Sequence, residues 1–347
     1  MVDLLTPTLN CSRTDITSQA TLWMTSVVLR VYIPPVLSAF SLGSNIVNIL
    51  VFSRMGLKDG ATATFLVLSI SDGATGCFNI LYSILTTIRY LGPIHLRRTA
   101  YTIFMLIMVP PYIFHMTSTL CTVVIAIVRC CSVAMPFRVK SVFTVRRQLL
   151  TIMILAASTT VITCYGISCY RVIQVLDPQT NITHLVLTLT PDFARQIQVF
   201  DMYRFVVIYS SFIIVNICLV ILIVALKRSS NFRTKAAGTV ETDKKPTFNV
   251  QESCATIKFK LKEKQVVRTV VLVSLVFTIC NLPYVVLLIL RQTLPEFKIV
   301  GCLSRSFDML AISSEAATSV NVCVNIFIYY YSHANYRNVF KRLVFRK

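Results

Sequence analysis

Seven apolar segments of membrane length constrain the fold of this chain more than any other feature. They lie near 27–53, 61–87, 101–129, 149–169, 204–226, 265–290 and 309–331. Each is close to or longer than the ~20 residues with which an α-helix crosses the hydrocarbon core of a bilayer. Only 14% of the 347 residues are charged, whereas soluble domains carry about 25%. The sequence therefore predicts an all-α membrane protein, a seven-transmembrane helix bundle.

The distribution of basic residues orients this bundle. With the N-terminus outside, about two thirds of the 34 lysine and arginine residues fall on the cytoplasmic side, many of them in the loop 227–264. Basic residues on this side face anionic membrane lipids, which explains the net charge of +20. No nucleic-acid partner is therefore expected. We predict a multi-pass plasma-membrane protein with an extracellular segment 1–26, a bundle 27–331, and a C-terminal membrane-surface helix with a short tail over 332–347.

Several residues on the predicted outer side indicate a secretory environment. Asn10 and Asn181 each begin an Asn-x-Ser/Thr triplet, so both are predicted glycosylation sites. Cys11 and Cys302 are the two cysteines that lie clearly outside the apolar segments on the predicted outer side. Because both face an oxidising compartment, we predict a disulfide that ties the N-terminal segment to the last outer loop.

A polar cluster is expected at mid-membrane. Asp72 lies eleven residues into the second helix, which puts its carboxylate roughly 16 Å deep. A carboxylate there needs partners and is by default a functional residue, although a protonated structural aspartate is the alternative. Ser118 of the third helix lies at a similar depth. Together with Asn321 and Asn325 of the seventh helix they are predicted to form one cluster, with Asn45 adjoining.

A second group of polar residues lies in the outer halves of the central helices. Tyr112 and His115 follow a Pro-Pro pair in the third helix, and Tyr284 follows Pro283 in the sixth. Glu315 lies ten residues outward of Asn325, roughly 15 Å above it. These four are the predicted ligand site: Tyr112, His115, Tyr284 and Glu315. Glu315 is expected to pair with the ligand or with a basic residue such as His115, and an internal structural ion pair is the alternative.

At the cytoplasmic end of the third helix, Arg129 closes the apolar run and Pro136 follows seven residues later. Arg129 either extends into the lipid headgroups or faces the bundle as a switch. Glu263 lies 20 residues before Pro283, about 30 Å along the sixth helix, and so reaches the level of Arg129. Since Val128 is not acidic, Glu263 is the expected partner of Arg129, unless it pairs with nearby lysines in solvent.

Six short motifs occur in order and at matching spacing along nearly the whole chain. They are Gly43-Ser-Asn45, Leu68 with Asp72, Val128-Arg129-Cys130 with Pro136, Phe277 with Cys280 and Pro283, Asn325 with Tyr329, and Tyr336-Arg337. In this set the chain resembles the rhodopsin-like (class A) family of G protein-coupled receptors. It departs from the family where Val128 replaces an acid, Asn281 a tryptophan and Ile326 a proline. Phe104 occupies the position of the usual third-helix cysteine, and the segment 170–203, which is predicted to be an outer loop, contains no cysteine.

The resemblance implies a receptor without enzymatic activity. It implies that an extracellular ligand activates a heterotrimeric G protein through outward movement of helix six. The activation-switch residues are then Arg129, Glu263, Phe277, Pro283, Asn325 and Tyr329. Arg129, Pro136 and Phe137 would contact the G protein, with simple membrane contact as the alternative for Phe137. It also implies a sodium ion at Asp72, Ser118, Asn321 and Asn325, and no other cofactor.

The divergent motifs are typical of large chemosensory repertoires. The segments 51–59 and 135–144 are similar to molluscan candidate chemosensory receptors, which implies a small-molecule ligand. A neuropeptide-type receptor is the alternative within the family, and it would favour an outer loop held by a disulfide. A ligand-gated channel subunit and a transporter are the alternatives outside it. A retinal protein is disfavoured because 309–331 contains no lysine.

Overall fold

The computed structural model describes residues 15–57, 59–135, 142–177, 182–238, 250–297 and 301–345. Within these ranges seven helices are long and apolar enough to cross a membrane, which confirms the predicted seven-helix bundle. Two strands form a hairpin on the outer side. Cys11, Asn10, Pro136, Phe137 and Asn181 lie outside the described residues.

The helices follow the order of the apolar segments. Helix α1 spans Gln19–Met55 and contains a π-helical stretch, Val27–Tyr32. The others are α2 Gly60–Leu91, α3 Ile94–Ile107 and Val109–Ala134, α4 Val145–Ile167, α5 Phe193–Gly238, α6 Val250–Thr293, α7 Ser304–Ser332 and the short α8 Ala334–Phe345. Between α4 and α5, strand β1 (Tyr170–Asp177) pairs antiparallel with β2 (Ile182–Leu189).

Several helix bounds differ from those predicted. The first helix begins at Gln19, where Ser18 accepts a hydrogen bond from the backbone N–H of Thr21 at 3.0 Å, so part of the segment 1–26 is helical. The segment 170–203, predicted as an outer loop, instead contains the hairpin and the start of α5. Hydropathy marks only the apolar part of a helix, whereas the backbone hydrogen bonding continues to the capping residue.

The π-helical stretch in α1 has a sequence cause. Pro34 and Pro35 have no backbone N–H, so the carbonyls of Arg30 and Val31 lack their usual donors four residues on. The N–H of Ile33 bonds to the carbonyl of Val28, five residues earlier, which is the π-helical pattern. The π-helical stretch therefore lies just before the two prolines, in the outer part of α1.

Helix α3 lies at the centre of the bundle. In the most apolar part of α3, 78% of the residues are buried inside the protein, whereas in α4 the share is 22%. Helix α3 packs against α2, α4, α5 and α6, while α7 closes the ring against α6 and α1. The main apolar core lies in the cytoplasmic half, where Phe52, Leu68, Ile125, Val270 and Tyr329 pack together.

Helix α8 is docked onto α1 through Tyr336. This side chain is fully buried, and its hydroxyl donates a hydrogen bond of 2.5 Å to Oδ1 of Asn48. Its ring lies 5.2 Å from that of Phe52, and Phe340 packs edge-on against Tyr330 at 5.3 Å. The predicted C-terminal helix is therefore present and is fixed to the cytoplasmic end of the core.

Candidate functional site

The structure brings Asp72, Ser118 and Asn325 together at the middle of the bundle. The Asp72 side chain is buried, and each of its carboxylate oxygens accepts one hydrogen bond. Ser118 Oγ donates to Oδ1 at 2.6 Å, and Asn325 Nδ2 donates to Oδ2 at 2.8 Å. Asn321, about one turn outward, is half-buried and makes no hydrogen bond to this carboxylate within the described chain. The oxygens of one carboxylate and one hydroxyl thus lie together, and oxygen atoms suit a small hard cation. The Asn325 amide presents its nitrogen to Asp72, so its oxygen would have to turn towards such an ion.

Asn45 adjoins this cluster, as expected, and extends it towards α8. Its amide nitrogen donates to the carbonyls of Ser41 at 2.9 Å and Val322 at 3.2 Å. Its oxygen accepts from Asn48 Nδ2 at 3.1 Å, and Asn48 in turn accepts from Tyr336. A continuous chain of polar contacts therefore links α8 to α1 and α7 at the depth of Asp72.

At the cytoplasmic end of the bundle, the Arg129 side chain is mostly buried and faces the start of α2. One guanidinium nitrogen lies 3.8 Å from Oδ1 of Asp59, at the start of α2, and the arginine side chain is only 12% exposed. Glu263 lies on α6, but its side chain is outside the described part of the structure, so the expected pair stays a prediction. The sequence argument missed Asp59, although it is the only acid between α1 and α2.

The remaining switch residues occupy the helix positions expected of them. Phe277 and Tyr329 are buried in the main core, and Pro283 lies inside α6. The Tyr329 hydroxyl has no hydrogen-bond partner within the described residues. Asn281, at the usual tryptophan position, donates to the carbonyl of Phe277 at 2.9 Å. The short Asn281 side chain, which replaces the larger tryptophan ring, therefore bonds to its own helix.

A cavity of about 200 Å³ opens between the outer halves of α1, α2, α3 and α7. Its lining includes Tyr112, His115 and Glu315, three of the four predicted ligand residues. Tyr284 packs instead beside Met116 in an adjoining apolar cluster. The cavity also borders Val322, whose carbonyl accepts from Asn45, so its floor adjoins the polar chain around Asp72.

The basic residue beside Glu315 is Arg30 rather than His115. Arg30 Nε lies 3.4 Å from Glu315 Oε2, and Nη1 lies 3.5 Å from the Tyr90 hydroxyl. Sequence reasoning missed Arg30, although it is the only charged residue in the first apolar block, 27–53, and intramembrane charges indicate function by default. An internal ion pair thus joins α1 to α7 at the cavity.

The N-terminal segment is fixed to the outer end of α7. The Asp15 carboxylate accepts from the backbone N–H groups of Arg305 at 2.7 Å and Ser306 at 3.3 Å, and from the Ser306 hydroxyl at 2.6 Å. Asp15 therefore serves α7 as an N-cap although it lies some 290 residues away in the chain. Burial favours a higher pKa for Asp15, but these bonds and one from the Thr17 N–H hold its pKa below the ordinary value.

Cysteine pairing on the outer side is partly defined. Cys302 is disulfide-bonded, and its predicted partner, Cys11, lies outside the described residues. Cys169, at the start of the hairpin, is buried and free. The hairpin is fixed to α3 instead by a 2.8 Å hydrogen bond from Thr102 Oγ1 to the carbonyl of Leu185. A structured outer loop therefore exists here without a disulfide of its own, although such a loop was expected to be held by a disulfide.

Seven membrane-length helices around a central α3, a buried carboxylate at mid-membrane and a docked α8 define a rhodopsin-like seven-transmembrane receptor. The model of the serpentine type 7TM GPCR chemoreceptor Srw family matches residues 32–347. The chain belongs to this family and is a chemoreceptor-type G protein-coupled receptor. Its fold is similar to the crystal structure of squid rhodopsin, with a TM-score of 0.60 and 16% identity over 96% of this chain and 87% of that chain. No curated protein sequence matches the chain.

Proposed function

We propose that this receptor binds an extracellular small molecule in the outer cavity and activates a heterotrimeric G protein at its cytoplasmic face. It does so in the plasma membrane, with its N-terminus outside, and performs no covalent chemistry. The observation that carries the proposal is that the cavity borders Val322, whose carbonyl accepts a hydrogen bond from Asn45 in the polar chain that continues to Asn48 and Tyr336. A ligand that moves α7 against α1 would disturb this chain and shift the equilibrium between inactive and active packings.

On the cytoplasmic side, outward movement of α6 is the proposed response. Phe277 and Pro283 lie on this helix, and Asn325 and Tyr329 lie on the α7 face that contacts the core. Movement of α6 would open a site in which Arg129, Pro136 and Phe137 contact the G protein. The single unpaired hydroxyl of Tyr329 among the switch residues is suited to gain a partner in the second packing.

The test is a G protein dissociation sensor in cells that express the receptor, screened with a library of small polar molecules. An agonist should lose about tenfold or more in potency in the Glu315→Gln variant, because a charge at the cavity is removed. The matched control is Asp192→Asn, an exposed acid on the outer side that does not line the cavity. A ligand-evoked current that persists with G proteins blocked, without sensor response, would overturn the proposal in favour of a channel.

We further propose that sodium occupies the cluster of Asp72, Ser118, Asn321 and Asn325. The convergence of the Asp72 carboxylate, the Ser118 hydroxyl and the Asn325 amide supports it. When bound, the ion would neutralise the buried carboxylate and hold α2, α3 and α7 together. Asp72 and Ser118 would supply oxygen atoms as they stand, and Asn321 and Asn325 would supply their amide oxygens once these turn towards the ion.

On the outer side we propose a disulfide between Cys11 and Cys302 and glycans on Asn10 and Asn181. Cys302 is disulfide-bonded, while nine other cysteines of the described chain are free. Asp15, four residues after Cys11, bonds to Ser306, four residues after Cys302, which supports the pairing. Mass mapping of alkylated thiols without reduction tests the disulfide, and a glycosidase-dependent mobility shift tests the glycans.

A peptide ligand is the second candidate, because the outer loop forms a hairpin. Strand β1 exposes Val172, Ile173, Val175 and Leu176 on both faces, and a peptide could add to such a strand. The volume of the cavity nevertheless favours a ligand smaller than a peptide. Potency that falls on disruption of the hairpin, but not with Glu315→Gln, would favour the peptide receptor.

A further inference from the structure

Two opposite charges meet at the outer cavity, and both belong to its lining. Arg30 and Glu315 contribute one guanidinium and one carboxylate, from α1 and α7. Their side chains are 21% and 52% exposed, so a ligand can reach both. A ligand with a single charge would satisfy one of them and leave the other without its partner in a partly dry site.

The existing contacts of Arg30 are long. The distances of 3.4 Å to Glu315 and 3.5 Å to Tyr90 exceed the usual 2.7–3.2 Å for such bonds. A guanidinium has five N–H donors, and a carboxylate can meet two of them side by side. A better-placed carboxylate could therefore replace Glu315 on Arg30, provided that Glu315 receives a cation in exchange.

The backbone of α1 is distorted where Arg30 is attached. Arg30 lies inside the π-helical stretch, and Pro34, whose missing N–H contributes to that stretch, lines the same cavity. Single π-helical turns within α-helices occur frequently at functional sites. The distortion is thus an observation independent of the ion pair, and it too marks Arg30 as part of a binding site.

The volume and the lining of the cavity restrict the class of ligand further. A volume of about 200 Å³ is below the 300–1,000 Å³ common for drug-sized ligands. Tyr82, Tyr112 and Met108 supply aromatic and apolar wall, and Asn79 and Ser319 supply hydrogen-bonding groups. This lining suits a compact molecule that carries both charges and an apolar side group.

We infer that the cavity binds a small zwitterion of the amino-acid class, with its carboxylate on Arg30 and its ammonium on Glu315. An apolar or aromatic side chain would lie against the tyrosines. The exchange keeps the site neutral because each protein charge exchanges one partner for another of the same sign. This inference rests on the proposed function only in taking the cavity as the ligand site.

The experiment measures thermal unfolding of the purified full-length receptor with apolar L-amino acids, L-phenylalanine being the reference probe. Two analogues accompany it: phenethylamine, which lacks the carboxylate, and 3-phenylpropionate, which lacks the ammonium. We expect L-phenylalanine or a related apolar amino acid to raise the midpoint, and both analogues to bind about tenfold or more weakly. The analogues test the unmodified receptor, so this arm does not depend on the folding of a variant.

Variants then show which protein charge binds which charged group of the ligand. Arg30→Gln and Glu315→Gln should each weaken binding of the amino acid about tenfold or more, and Arg30→Lys should weaken it less than Arg30→Gln. Arg89→Gln should bind normally, because Arg89 is an outer arginine that stacks on Tyr101 and does not line the cavity. The inference is overturned if no apolar amino acid raises the midpoint, if either singly charged analogue binds as well, or if Arg30→Gln binds normally.

This assay contains no G protein, which separates the two proposals. Amino-acid binding to a receptor that activates no G protein would overturn the proposed function and support the ligand inference. G protein activation by another molecule, with no amino acid bound, would overturn the ligand inference alone.

Discussion

At the scale of single residues, Asp72 accepts one hydrogen bond at each carboxylate oxygen, and the charge of that group is what a cation would require. Asp72→Asn keeps the size of the side chain and removes the charge. We expect sodium to lower agonist potency in the unmodified receptor and to have no effect in this variant. The measurement is agonist potency in sodium and in an organic cation at equal ionic strength.

Ser69→Ala is the matched control for this sodium effect. Ser69 is buried on the same helix, but its hydroxyl donates to the carbonyl of Phe65 in its own helix at 2.9 Å. Its loss should leave the sodium dependence intact. Equal sodium dependence in Asp72→Asn and the unmodified receptor would contradict a sodium site at Asp72.

Asp15 gives a pH prediction. Because its pKa is lower in the folded protein, the carboxylate stabilises the fold above its unfolded pKa of about 3.9. That stabilisation is lost as the pH falls through the folded pKa. At neutral pH, Asp15→Asn should lower the free energy of unfolding by about 1 kcal/mol, since α7 loses a charged cap.

The measurement for Asp15 is the thermal midpoint of the purified receptor from neutral to acid pH. The difference between the unmodified receptor and Asp15→Asn should shrink towards zero at the acid end. Asp192→Asn is the control: this exposed acid precedes α5, but its side chain makes no hydrogen bond within the described residues, so the difference should be much smaller. A difference that stays constant with pH would mean that the charge of Asp15 does not contribute.

Sequence reasoning found those residues whose depth in the membrane is a matter of counting. Asp72, Ser118 and Asn325 fall at one level by helical rise alone, and the structure brings them into contact. Arg30 and Asp15 were missed because depth alone does not predict their partners, Glu315 and the N-terminus of α7. Such pairs depend on which helix ends become neighbours, and local pattern does not encode this.

At the scale of elements, the buried Tyr336 hydroxyl hydrogen-bonds α8 to α1, beside the packing of the same ring on Phe52. Tyr336→Phe would leave Oδ1 of Asn48 without that donor at a buried position, which should lower the free energy of unfolding by about 1 kcal/mol. The measurement is thermal unfolding of the purified receptor. Tyr331→Phe, at a largely exposed tyrosine of α7, should leave the midpoint unchanged. Equal midpoints for Tyr336→Phe and the unmodified receptor would mean that the hydroxyl contributes nothing.

The apolar segments predicted the number and order of the helices, because a bilayer requires about 20 apolar residues for each crossing. They did not predict where α5 and α6 end, since both continue past the apolar residues to Gly238 and back to Val250. The hairpin was missed for a related reason. Its strands are too short for a hydropathy signal, and they are held by Thr102 of α3, which is remote in sequence.

At the scale of the whole molecule, the outer ends of α5 and α6 are clamped while the inner end of α6 is expected to move. Arg291 of α6 makes two contacts with Asp201 of α5, at 2.5 and 3.3 Å. Arg204, on α5 itself, lies 3.1 Å from the same carboxylate. A helix held at its outer end and interrupted at Pro283 can swing at its inner end. The proposed pair between Arg129 and Glu263 is expected to oppose this swing when no ligand is bound.

Substitutions around Arg129 test directly whether the inner end of α6 moves. The contact of Arg129 with Asp59 joins α3 to α2, neither of which is expected to move, whereas a pair with Glu263 would join α3 to the moving α6. Glu263→Gln should therefore raise agonist-free signalling about tenfold if the pair contributes 1–2 kcal/mol to the resting state. Asp59→Asn should raise it much less, because that acid is 46% exposed and such contacts contribute about 0–1 kcal/mol.

Arg129→Ala completes the comparison and should reduce G protein activation, because the arginine itself is the proposed contact with the G protein. The measurement is second-messenger output without agonist at matched surface expression. Equal basal output in Glu263→Gln and the unmodified receptor, together with normal coupling in Arg129→Ala, would contradict the switch. Arg129 would then be an arginine that closes a membrane helix and reaches the headgroup level, with Asp59 as its neighbour.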